Sequence, residues 1–130
     1  MDVKGDMILC DTGIVISLFR KNMAVENECK KIGFSNLALC DITIGEIYFG
    51  MHKGEIKKTE DLLSVFNTVN ISEDASNIFL SLMKRHYGKQ IGIPDALIAS
   101  IALANDISLY TLNIKDFEFI SGLKLYSNME

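Results

Sequence analysis

Apolar residues fall along the chain in two alternating patterns, short unbroken runs and longer stretches with helical spacing. Met7 to Cys10 is an unbroken run, as expected of a strand buried on both faces, and Asp11 ends it. Thr12 to Arg20 reads as a helix with Ile14 and Leu18 inward, and Met23 to Ile32 as a second, more amphipathic one stopped by Gly33. Leu37 to Cys40 repeats the strand pattern, then come Asp41 and a helix from Thr43 to His52, with Gly54 beyond its end. Ile56 to Phe66 is a further helix carrying Leu62, Leu63 and Phe66 in one stripe, and Val69 to Ile71 is a third strand. Ser72 caps a long helix reaching Tyr87, closed by Gly88. Pro94 opens a helix to Ala104 that is apolar on nearly every side, the mark of a helix inside the domain. Leu109 to Thr111 is a fourth strand, and Leu123 to Tyr126 a fifth at an edge. Strands alternating with helices predict an α/β domain with a mainly parallel central sheet of four to five strands.

Composition narrows the class. The 130 residues suffice for one hydrophobic core and not for two, so residues 1–130 are expected to form a single domain. The longest apolar stretch, Ala96 to Ala104, is broken by Ser100 and too short for a bilayer, and the polar residues Met1 to Asp6 carry no secretory signal. A cytoplasmic protein without membrane association is expected. Cys10, Cys29 and Cys40 are odd in number and form no C-x-x-C pair, which predicts reduced thiols rather than disulfides or a soft-metal site, with Cys10 and Cys40 buried in strands. A net charge of -4 excludes a generally basic nucleic-acid surface, leaving local basic patches and bound cations for any such contact.

Asp11, Glu46, Asp95 and Asp116 each sit where an apolar segment ends or a helix begins. In an alternating α/β domain the carboxyl ends of the strands and the adjoining helix starts share one edge, where ligands bind. Four carboxylates gathered there repel one another unless a cation intervenes, which points to a hard divalent metal with oxygen ligands. Taken singly, each has a structural alternative. Asp11 is equally a helix N-cap, and Asp41, just before Thr43, reads as a turn or cap. Thr43-Ile44-Gly45-Glu46 matches a capping box, a commoner role for Glu46 than ligation, while Gly50 one turn later leaves room for a substrate or close neighbour. Asp95 follows Pro94 in the first turn of the buried helix, where an ionised carboxylate needs a partner that a metal supplies. Asp116 and Asn113 follow the fourth strand, where such residues also serve simply to bend the chain, and Thr111 offers a hydroxyl at the same edge.

Four segments join these positions: Met-Ile-Leu-Cys-Asp11-Thr-Gly-Ile-Val-Ile, Thr43-Ile-Gly-Glu46-Ile-Tyr-Phe-Gly50, Asp95-Ala-Leu-Ile-Ala-Ser-Ile-Ala-Leu-Ala, and Leu-Tyr-Thr111-Leu-Asn113-Ile-Lys-Asp116-Phe117. In that order, and over almost the full length, the chain resembles the PIN-domain nucleases, particularly the small toxin ribonucleases of the VapC type. Gly13 departs from the pattern, standing where many relatives carry Asn or Ser.

The resemblance implies a three-layer α/β/α fold and Mg²⁺- or Mn²⁺-dependent hydrolysis of RNA. Asp11, Glu46, Asp95 and Asp116 would be catalytic and metal-binding, with Thr12, Thr111 and Asn113 in support. It also implies a cognate antitoxin and a homodimer, for which helices Met23 to Ile32 and Ile56 to Phe66 offer surfaces that core packing explains equally well. Lys84, Arg85 and Lys89 would hold the RNA backbone, against the alternative of a solvated helix face. That alternative is favoured for Lys53, Lys57 and Lys58, and His86 reads as a surface residue. Two competing readings are a housekeeping RNA-processing PIN nuclease and a non-catalytic PIN-like RNA-binding or assembly module, the latter at odds with retention of all four acids. A haloacid-dehalogenase-type phosphatase would need a second aspartate two residues after Asp11, where Gly13 stands.

Overall fold

A computed structural model describes residues 7–88 and 91–127. Its elements run β1 (Ile8–Cys10), α1 (Thr12–Phe19), α2 (Met23–Ile32), β2 (Leu37–Cys40), α3 (Asp41–Gly50), α4 (Ile56–Leu63), β3 (Asn67–Val69), α5 (Glu73–Arg85), α6 (Ile93–Asn105) and β4 (Ser108–Tyr110). Short 3₁₀ turns cover Phe34–Asn36 and Ile114–Asp116. Among the described residues the strands form one sheet in the order β3-β2-β1-β4, every pair parallel. The expected fifth strand is reduced to a single parallel bridge from Leu125 to Leu109 at the β4 edge.

Alternation along the short strands divides the core between the two faces. Leu9, Ala38, Cys40 and Leu109 pack with α5 and α6, chiefly through Leu82, Ile98, Ala99, Ile101 and Ala102, and with Phe117 and Ile120. Cys10, Leu37, Leu39 and Tyr110 point the other way, onto Ile14, Val15, Val25, Cys29, Ile47 and Phe66. The result is the expected three-layer α/β/α arrangement. Burying both faces explains why these strands read as continuous apolar runs.

Two local expectations are corrected. β3 was expected at Val69 to Ile71 and instead occupies Asn67–Val69, because pairing with β2 places Asn67 beside Ala38 and Val69 beside Cys40. The side chain of Asn67 donates to the carbonyls of Ser35 and Leu37, fixing that register. α3 begins at Asp41 rather than Thr43, directly off the end of β2. Asp41 is no cap: both its carboxylate oxygens accept from the backbone N–H of Ile71 at 3.2 Å, tying the start of α3 to the exit from β3.

Candidate active site

The strand order reverses beside β1, since β2 and β3 follow on one side and β4 lies on the other. The crevice beyond the carboxyl ends at such a point is where open α/β sheets bind ligands. Cys10 pairs with Tyr110, so the next residues, Asp11 and Thr111, emerge side by side. Asp11 is only 5% exposed. Its Oδ1 accepts from the N–H of Ile14 and caps α1, while its Oδ2 accepts the Thr111 hydroxyl at 2.5 Å. One oxygen of this carboxylate thus caps α1 and the other is held by Thr111. Burial pushes the Asp11 carboxyl above its ordinary range; the Thr111 hydroxyl and the N–H groups of Ile14 and Gly13 oppose that shift, and the Glu46 charge adds to it. Asn113 contributes through its backbone, its N–H donating to Thr111 Oγ1 at 3.0 Å.

The capping-box reading of Glu46 fails, because Thr43 lies inside α3 and not at its cap. Glu46 Oε1 instead accepts the hydroxyl of Thr12 across 2.6 Å, which joins the first turn of α1 to α3. Thr12 Oγ1 also lies 3.2 Å from Thr43 Oγ1. Thr43, fully buried, is the residue that sequence reasoning misassigned, since a T-x-x-E pattern looks alike whether it opens a helix or sits within one.

Asp95 stands in the first turn of α6, behind Pro94. Burial holds its carboxyl above the ordinary range, and the charges of Asp116, Asp11 and Glu46 raise it further. All four sequence-designated acids thus share one electrostatic neighbourhood. Asp116, at the end of the 3₁₀ turn after β4, is the exposed member. None of the ion pairs between described residues ends on any of the four. Carboxylates and threonine hydroxyls are hard oxygen donors of the kind magnesium and manganese take. No three His, Cys, Asp or Glu side chains among the described residues form a ready-made coordination shell. The thiols are no rivals: all three cysteines are free and buried, and burial lifts Cys10 and Cys40 above the ordinary thiol range and Cys29 to about 11.

A cleft of about 350 Å³ opens beside Glu46, walled by Ile16, Phe19, Ile47 and Met51 with Arg20 and Lys58 among its lining. The Lys58 ammonium sits 5.1 Å from the centre of the Phe19 ring. Arg20 and Lys58, basic groups that line this cleft with Glu46, were passed over or set aside by sequence reasoning, whereas Lys57 pairs with Asp61 in the open. Of the expected RNA-binding residues, Lys84 and Arg85 are exposed in the last turn of α5, favourable for the helix dipole, and Arg85 lines a separate groove with Leu82 and Leu103. Lys89 lies outside the described residues. His86 is not the surface residue expected: half-buried, it meets Phe119 edge-on at 5.0 Å, and its Nε2 has no partner among the described residues.

Residues 8–121 match the PIN domain family. Ribonuclease VapC10 of Mycobacterium tuberculosis is 29% identical over 123 residues, 91% of each chain. Ribonuclease VapC1 of Rickettsia felis is 27% identical over 125 residues, 91% of this chain and 93% of that one. Among solved structures, a chain of a toxin-antitoxin complex from Klebsiella pneumoniae superposes with a TM-score of 0.76 at 31% identity, covering 89% of this chain and 94% of that one. With the parallel sheet, the ordered acids and these matches in agreement, the chain belongs to the PIN-domain family.

Proposed function

We propose that this chain is a divalent-metal-dependent endoribonuclease, the toxin of a toxin–antitoxin pair, acting as one domain in the cytoplasm. The observation that carries the reading is Asp11 emerging beside Thr111 at the sheet's switch point, and it is supported by Asp95 lying near enough to Asp116, Asp11 and Glu46 for their charges to add to the effect of burial on its carboxyl. Relatives named ribonucleases support RNA as the substrate. Asp11 and Asp95 would hold Mg²⁺ or Mn²⁺, with Glu46 and Asp116 completing the shell directly or through water. The bound ion would lower the pKa of a water and offset charge on the scissile phosphate.

The chain's own groups prepare that chemistry. Thr111 and the Ile14 N–H fix the Asp11 carboxylate, and Thr12 fixes Glu46 through Oε1, leaving Oε2 for the proton of the attacking water. Arg20 and Lys58 beside Glu46 would draw the RNA backbone towards the acids. The likeness to a toxin-antitoxin complex favours an antitoxin partner over the housekeeping reading, and the apolar cleft beside Glu46 suits a segment of such a partner. A homodimer is part of the same proposal.

The test is cleavage of RNA by the purified protein with Mg²⁺ or Mn²⁺, alongside Asp11→Asn and Asp95→Asn. Loss of cleavage in both variants and with EDTA is expected. Cleavage that persists in either condition would sink the site. Native co-purification of a small DNA-binding partner is expected of a toxin, and its reproducible absence would favour the housekeeping reading.

A further inference from the structure

Thr43 makes no hydrogen bond to the four acids among the described residues, yet its hydroxyl lies between the Cys40 thiol, 3.7 Å away, and the Thr12 hydroxyl, 3.2 Å away. Proton counting gives this arrangement a direction. Thr12 has one hydroxyl proton, and its 2.6 Å contact with Glu46 Oε1 is much shorter than its 3.2 Å contact with Thr43 Oγ1, so the proton goes to Glu46. The Thr12–Thr43 contact is then satisfied by Thr43 donating to the Thr12 oxygen. The Cys40 thiol, kept protonated by burial, supplies a weak donor to Thr43 Oγ1. Donors therefore run one way, from the end of β2 through Thr43 and Thr12 to Glu46.

We propose that Thr43 is a positioning residue for the nuclease reaction: its buried hydroxyl locks Thr12 in the rotamer that holds Glu46 at the acidic edge. Thr12 is the first residue of α1, so no preceding helical turn restricts its χ1 rotamer. The bond from Thr43 selects the rotamer facing α3. This inference rests on the reading of Glu46 as part of a metal-dependent site.

The test compares Thr43→Val, which keeps the shape and removes the hydroxyl, with Thr43→Ser, which keeps the hydroxyl. Three measurements are made on each: the χ1 couplings of Thr12 by NMR, Mn²⁺ binding to the metal-free protein by EPR, and RNA cleavage. Thr43→Val is expected to average the Thr12 couplings, weaken Mn²⁺ binding on the order of tenfold and lower kcat with KM for RNA unchanged, as loss of a ligand-orienting partner does. Thr43→Ser should retain wild-type behaviour within about twofold, the small loss expected when the bond itself survives. Unaveraged Thr12 couplings in Thr43→Val, wild-type Mn²⁺ affinity in that variant, or equal losses in Thr43→Ser would each overturn the proposal. Thr43→Ala, which removes the hydroxyl without a β-branched side chain, serves if Thr43→Val folds poorly: it should reproduce the Mn²⁺ loss, and wild-type Mn²⁺ affinity in it overturns the proposal. Failure of the nuclease reading has its own signature, a wild-type protein that neither binds Mn²⁺ nor cleaves RNA, and that result overturns this inference as well.

Discussion

The hydroxyl of Thr111 donates to Oδ2 of Asp11 across 2.5 Å, linking residues 100 positions apart at the carboxyl ends of two adjacent parallel strands. A hydrogen bond to a buried charged acceptor contributes more than a neutral one, about 1.5–3 kcal/mol. Thr111→Val should therefore destabilise the metal-free protein by about 2 kcal/mol in urea unfolding, and Thr111→Ser by much less. Equal losses in the two variants would show that the methyl group, not the hydroxyl, matters at this position.

The raised carboxyls give a pH dependence of defined sign. Asp11 and Asp95 both titrate above their ordinary value of 3.8 in the folded protein, so just above that value the folded state binds more protons than the unfolded one. Stability contributed by these groups is present at low pH and falls as pH rises through the folded pKa values. Asp95→Asn should flatten that fall and raise stability at neutral pH, by under about 1 kcal/mol because solvent screens a half-buried carboxylate and the helix dipole favours an acid there. Chemical unfolding of the metal-free proteins between pH 4 and 7 measures it, as conditions roughly spanning the titration. An unchanged slope in the variant would mean that neither burial nor the neighbouring charges raise Asp95.

Legibility in the sequence followed what each signal depends on. The strand runs ending at Cys10 and Cys40 were readable because both faces of the sheet are covered; the fourth, expected at Leu109 to Thr111, lies one residue earlier at Ser108–Tyr110, and its pairing with β1 is what sets Thr111 beside Asp11. Glu46 was ambiguous because a T-x-x-E pattern does not record where its helix begins. That boundary is set by Asp41 reaching the Ile71 N–H, a contact between residues thirty positions apart. The basic lining of the cleft was missed for a related reason: Arg20 ends α1 and Lys58 lies in α4, and only packing brings both beside Glu46.

Thr59 offers a test of a different kind, away from the acids. It is fully buried in α4, and its hydroxyl has no hydrogen-bond partner among the described residues. A buried hydroxyl without a partner forfeits its hydration for nothing, whereas valine fills the same volume with apolar atoms. Thr59→Val should raise the unfolding free energy by about 1 kcal/mol at an unchanged denaturant slope. A loss of stability would reveal a partner, such as a bound water, that the hydroxyl serves.

Gly13 stands two residues after Asp11, and its surroundings say what a side chain there would do. It occupies the second position of α1, and a β-carbon would lie 3.4 Å from Asp11 Oδ1, an ordinary contact. Glycine in a helix costs roughly 0.5–1 kcal/mol against alanine. Gly13→Ala should thus stabilise the fold by up to that amount in thermal unfolding while the N–H groups of residues 13 and 14 continue to face the Asp11 carboxylate. Mn²⁺ affinity should stay within about twofold, because the substitution leaves every candidate ligand in place. Destabilisation, or a large loss of Mn²⁺ binding, would mean that the added carbon displaces Oδ1, and that glycine stands here to give the carboxylate its room.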